Sequence, residues 1–153
     1  MALVQSDLKA CVIEGCSVVF GHNSEVELRA VIPDSGEASA KFYCADIVGS
    51  LIMKGLALYR MKDKDSYDIY AVAGFFGGGP KSASAAFLDS LKCEGFEKVT
   101  QNALSEIRER FRTLRSEGPF QVAYFLAPED EEARERIQGD AYITFRLFLE
   151  NLA

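Results

Sequence analysis

The sequence predicts an α+β domain: a mostly antiparallel sheet built from two hairpins plus a later central strand, packed by about four helices. Three observations predict it. β-branched, partly alternating runs come in pairs joined by short polar connections. The segment Pro119 to Ala127 is apolar almost throughout, as a strand covered on both faces would be. Other segments repeat apolar residues at helical spacing.

In chain order, "ACVIEGCSVVF" (10–20) and "EVELRAVI" (25–32) flank "GHNS" and read as the first hairpin, with His22 an exposed polar residue in its connection. After "PDSGE", the positions Cys44, Ile47, Val48, Leu51, Ile52 and Gly55 recur with helical spacing, and Gly55 supplies a left-handed stop. Asp34 and Glu37 have capping-box spacing ahead of that helix, and Ser39 is an alternative start.

"LALYRM" (56–61) and "YDIYAVAG" (67–74) around the charged "KDKDS" predict the second hairpin. Pro80 then stands at a first helical position, with Ser84, Phe87, Leu88 and Leu91 lining one side of a short helix. A longer helix follows from Val99 to Arg115, its stripe made by Val99, Ala103, Leu104, Ile107, Phe111 and Leu114. "PFQVAYFLA" (119–127) is the central strand. Pro128 opens a further helix with Glu129, Asp130, Glu131 and Glu132 in its first turn, and Gly139 closes it. The last run, "AYITFRLFLENL" (141–152), alternates like a strand at its start and is leucine-rich like a helix at its end.

No repeat or linker divides this order, so residues 1–153 are expected to form one globular domain. A net charge of −6 and a pI near 4.9 argue against nucleic acid and anionic membranes as partners. The opening "MALVQSDLKACVIEG" has no basic region followed by an apolar run, and no apolar segment is long enough to span a bilayer, so the expected location is the cytoplasm. There Cys11, Cys16, Cys44 and Cys93 are expected to be reduced. With no CxxC or HxxxH spacing, no metal site is expected. No cofactor is assigned.

The abrupt change of composition in "GFFGGGPKS" (74–82) is the main chemical signal. Gly74, Gly77, Gly78, Gly79, Lys81 and Ser82 form a candidate anion-binding loop, since glycines let an anion approach backbone N–H groups and a helix N-terminus follows. A nucleotide P-loop is disfavoured because Pro80 separates Gly79 from Lys81 and removes an N–H. The G-x-x-G-x-G spacing of Gly74, Gly77 and Gly79, between a predicted strand and a helix, resembles the pyrophosphate loop of GNAT acyltransferases. That resemblance covers the second half of the chain only and implies an acyl-CoA site at the loop. The alternative is a sharp turn without a ligand.

No catalytic set emerges: His22 is the sole histidine and has no evident partner, and no base stands near a candidate Ser or Cys nucleophile. Phe75 and Phe76 are adjacent, so in extended backbone one is expected to complete the core and the other to point outward as an anchor for a partner. Arg108 and Arg112 head a basic helix face, and residues Glu129 to Arg136 form an acidic one. Complementary faces of this kind suit docking or self-association. The functional expectation is a small acidic binding or adaptor protein that contacts another protein or itself, as a homodimer or small homo-oligomer. A transferase using acyl-CoA or nucleotide at the glycine loop is the alternative, and enzymatic activity is left open.

Overall fold

The computed structural model describes residues 15–91 and 97–152. Cys11, Cys93 and the start of the first predicted strand lie outside the described residues. Seven α-helices and a single two-stranded sheet make up the described elements, in the order α1 (Val18–Gly21), β1 (Asn23–Ile32), β2 (Gly36–Ala45), α2 (Ile47–Ala57), α3 (Asp63–Phe75), α4 (Pro80–Ser90), α5 (Glu97–Arg110), α6 (Glu117–Leu126) and α7 (Glu131–Glu150). The protein is predominantly helical, which corrects the expected α+β, sheet-centred architecture.

Of the two predicted hairpins, the first exists with a different partner strand. "EVELRAVI" is β1, but it pairs antiparallel with β2, from Asn23 opposite Ala45 to Ile32 opposite Gly36. "PDSGE", read as punctuation before a helix, is the hairpin turn, with Asp34 at φ 63° and Gly36 at φ 80°. Asp34, Glu37 and Ser39 therefore cap nothing. The cap of α2 is Asp46, whose carboxylate accepts from the Gly49 N–H at 2.9 Å.

The second predicted hairpin is absent. Leu56 to Met61 closes α2 and continues through a 3₁₀ turn (Leu58–Arg60) to a left-handed Met61, φ 55°. Residues 67–74 lie inside α3, whose buried positions Asp65, Ser66, Ile69, Tyr70 and Ala73 repeat at helical spacing. Two of these are polar, so the apolar pattern alone looked like a short strand. Gly55 lies inside α2, against Ala103 and Ile107 of α5, where an added Cβ would come within 3.0 Å of the Ala103 carbonyl oxygen. It permits close helix approach and is no stop signal.

The predicted central strand is helix α6. Its buried residues are Gly118, Pro119, Gln121, Val122 and Ala123, whereas Phe120, Tyr124, Phe125 and Leu126 are exposed, so the run has one covered face. Pro119 falls in the first turn, where its missing N–H costs no helical hydrogen bond. Helix α5 ends at Arg110 rather than Arg115, because the chain folds back and packs Gly118 against Phe111 and the Arg110 carbonyl.

Pro80 opens α4 as the spacing predicts. The ambiguous C-terminal run belongs to α7, which passes straight through Gly139. Nothing lies within 4 Å of a Cβ built on Gly139, and its φ is not left-handed. Gly139→Ala is expected to stabilise the protein by about 0.5–1 kcal/mol, since alanine relieves glycine's entropy cost in a helix interior. Urea unfolding measures it, and a loss of stability would show that this turn of α7 needs glycine.

Helix α7 organises the body, packing against α3, α4 and α6, while α2 packs against α3 and α5. A chain of rings runs through the core: Phe111 stacks on Phe145 (3.9 Å, 26°), Phe145 meets Phe148 edge-on (6.2 Å, 72°), and Phe148 meets Phe87 (6.1 Å, 81°). No described helix is long and apolar enough to cross a membrane.

Candidate functional site

The hairpin is the feature that the helical body does not explain. Each strand is ten residues long, and apart from half-buried Asn23 every residue on both is exposed. It stands off the body as a ribbon with two unlike faces. Side chains alternate along a strand, and the register puts Val26, Leu28, Ala30 and Ile32 on the same face as Phe42, Ala40, Ala38 and Gly36. From the Val26–Phe42 pair to the tip that face is apolar, with Val26 37%, Leu28 56%, Ile32 47% and Phe42 41% exposed, and Ser24 with Cys44 completes it at the root.

The other face carries the charges. Lys41 donates to Glu25 at 2.9 Å, and the Arg29 guanidinium grips Glu27 through two bonds of 3.2 and 3.1 Å. These exposed pairs each contribute little energy. Val31 and Tyr43, each 74% exposed, share that face with them.

The root of the ribbon is clamped to the body. The Asp46 N–H donates to the His22 carbonyl at 3.0 Å, and the Asp46 carboxylate lies 3.3 Å from His22 Nδ1 while capping α2. A Cβ on Gly49 would come within 2.6 Å of the His22 carbonyl oxygen, so glycine is required for this approach. His22 is buried, which corrects its expected place as an exposed turn residue. Helix α1 leans on the charged side of the root, where Val19 and Phe20 face Asn23, Tyr43 and Ala45 across an open hollow of about 690 Å³.

A second ionic feature ties the α2–α3 turn. Asp65 is buried and receives Lys54 at 3.0 Å and one Arg60 nitrogen at 3.0 and 2.9 Å, while Asp68 receives Lys54 at 2.6 Å and Lys64 at 2.8 Å. Burial acts to raise the Asp68 pKa, but the hydrogen bonds from Lys54 and Lys64 outweigh it and hold the carboxyl below its usual range. Burial acts to lower the Lys54 pKa, and its bonds to Asp68 and Asp65 raise it overall. Deeper in, the Ser66 hydroxyl donates to Gln121 at 2.6 Å and joins α3 to α6. The Tyr70 hydroxyl donates to Asp140, and burial, then that carboxylate, pushes its pKa well up.

The glycine loop joins two helices, where the sequence predicts a strand before it. Gly74 is helical, in α3, with its Cα face against Thr144 of α7. Gly77, Gly78 and Gly79 have φ of 57°, 94° and 146° and turn the chain between α3 and α4. Lys81 and Ser82 are exposed on the first turn of α4. The element before the loop is a helix, so the strand on which the GNAT resemblance depends is missing, and the fold does not support that alternative.

Phe75 and Phe76 are both exposed, 69% and 43%, so neither completes the core. Phe75 lies edge-on to Tyr70 at 5.7 Å. Phe75→Ala and Phe76→Ala are each expected to change stability by less than about 1 kcal/mol in urea unfolding. A loss near 3 kcal/mol in either would restore a core role.

Arg108 and Arg112 line a shallow cleft of about 270 Å³ with Phe111, Tyr142, Arg146 and Leu149. Arg112 pairs with Glu109 at 3.5 Å. Among the described residues, no three His, Cys, Asp or Glu side chains converge as a metal site would require. The ribbon's second strand was missed by sequence reasoning, although alternation of Ala38, Ala40, Phe42 and Cys44 with Ser39, Lys41 and Tyr43 was a readable signal. Comparison of the chain with protein-family models, with curated proteins and with solved structures found no match.

Proposed function

We propose that this chain is a protein-binding module in which a helical body presents a β-ribbon as the docking element. One observation supports the reading above others: a sheet face that carries Val26, Leu28, Ile32 and Phe42 from root to tip lies open to solvent, while the paired charges sit on the opposite face. A two-stranded hairpin alone is marginally stable in water, and an apolar sheet face normally packs on something. A partner that covers the ribbon supplies that packing. The exposed free thiols of Cys16 and Cys44 fit a reducing compartment, and the cytoplasm is the proposed place of action.

The test is photo-crosslinking in cells with a benzophenone side chain at position 28, on the apolar face, or at position 135, exposed on α7. Covalent adducts to a protein are expected from position 28 alone, and they should disappear when Ala40→Asp is added on the same face. Equal adducts from both positions, or none from position 28, would remove the ribbon from the docking role.

A further inference from the structure

We infer that the cleft between the end of α5 and α7 is a separate docking site, whose occupant is an acidic segment of a protein partner that carries one large apolar side chain. The inference is independent of the ribbon. Two rows of side chains at helical spacing line the cleft: Arg108, Phe111 and Arg112 on one side, and Tyr142, Arg146 and Leu149 of α7 on the other. Phe111 continues the turn of α5, its N–H bonded to the Ile107 carbonyl at 3.0 Å, and its buried ring stacks on Phe145. The apolar floor is therefore fixed.

The rim selects the charge of the occupant. The chain holds 23 acids against 17 lysines and arginines, yet three arginines ring this cleft. Among the described residues Arg108 makes no ion pair. Arg112 has Glu109 at 3.5 Å and Arg146 has Glu150 at 3.6 Å, both longer than a charge-assisted hydrogen bond. All four of those side chains are exposed, and such pairs contribute little, so a partner's carboxylates replace the two glutamates at small cost. The guanidinium fork takes a carboxylate through two N–H donors at once.

Size selects the kind of occupant. A site for a free small molecule measures roughly 300–1,000 Å³, and this cleft of about 270 Å³ holds one side chain of a longer segment. Every basic group in it is arginine, beside a tyrosine and a phenylalanine, the residue types enriched where proteins meet. A net charge of −6 repels a long polynucleotide, whereas a short acidic stretch meets chiefly the local field of the arginines.

The test is an amide NMR titration of the full chain, at about 150 mM salt, with a synthetic heptapeptide that has three glutamates on either side of one leucine. Shifts are expected to concentrate at Arg108, Phe111, Tyr142 and Leu149. Binding should weaken several-fold when glycine replaces the leucine, and vanish when lysines replace the glutamates. Arg108→Glu with Arg146→Glu is expected to weaken it about tenfold with an unchanged helical circular dichroism spectrum, and Arg108→Lys with Arg146→Lys to recover only part of that loss. No saturable shift at about 10 mM peptide would overturn the inference. So would shifts spread over every basic group, equal binding of the glycine peptide, or tighter binding of an oligothymidylate. A concentration-dependent dimer dispersed by the same arginine reversal would overturn it too, because the occupant would then be a second copy.

Discussion

Phe145→Ala is expected to cost about 3–5 kcal/mol of folding stability, the largest effect of any single truncation proposed for this chain. Phe145 is fully buried in α7, and its ring lies between Phe111, just beyond α5, and Phe148, which in turn meets Phe87 of α4. Removing it deletes apolar surface at the point where three helices share one set of contacts. It also leaves a cavity that the fixed helix axes cannot collapse. Urea unfolding followed by circular dichroism reads the loss directly. Should the variant be too unstable to purify, Phe145→Leu keeps most of the volume and should lose about 1 kcal/mol. A loss below that for the alanine variant would mean that the ring chain does not hold the bundle.

Asp65→Ala is the second, with an expected loss of about 2–3 kcal/mol. The carboxylate is buried at the start of α3 and holds Lys54 of α2 and Arg60 of the intervening turn. Removing one member of a fully buried pair costs more, because the other charge is stranded. Here Lys54 and Arg60 are 33% and 42% exposed, so both can reach water, and Lys54 keeps Asp68 at 2.6 Å. Those two facts reduce the expected loss. The same cluster shapes the pH profile. Asp68 has its pKa depressed from 3.8, so its contribution is present above that value and lost as pH falls through the lower folded one. Lys54 has its pKa raised from 10.5, so its contribution is present below that value and lost as pH rises through the higher folded one. Denaturation measured against pH should show a plateau with both flanks, and Asp65→Ala should lower the plateau. An unchanged plateau would show that the α2–α3 turn holds without the buried carboxylate.

Some of the fold was legible from local signals. The run from Ile47 to Gly55 shows its helical face by spacing alone, because all its buried positions are apolar or glycine. The same holds for Ala103 and Ile107 of α5, and for Pro80 at the start of α4. Alternation in "EVELRAVI" marks β1 from Glu25 to Ala30, where charged and apolar residues fall on opposite faces, while Val31 joins the charged face. The candidate site was half legible. One strand of the ribbon was found, but the weak alternation of small residues in β2 was read as the approach to a helix.

The sequence by itself determined the acidic balance, the amphipathic stripe of α2, the strand character of residues 25–32 and the turning role of the glycines after Phe76. Only the tertiary structure decided that residues 67–74 and 119–126 are helical. Local preferences for helix and strand differ by less than about 1 kcal/mol per residue, so packing chooses between them. In α3 and α6 the choice depends on buried polar residues whose partners lie on other elements: Asp65 with Lys54 of α2, and Ser66 with Gln121, 55 positions away. Tertiary structure also carried α7 through Gly139, since burial of Ala141, Thr144, Phe145 and Phe148 on one face outweighs a single glycine's cost. It alone left the ribbon's apolar face uncovered, because alternation specifies that a strand has a dry side and says nothing about whether the rest of the chain reaches round to cover it.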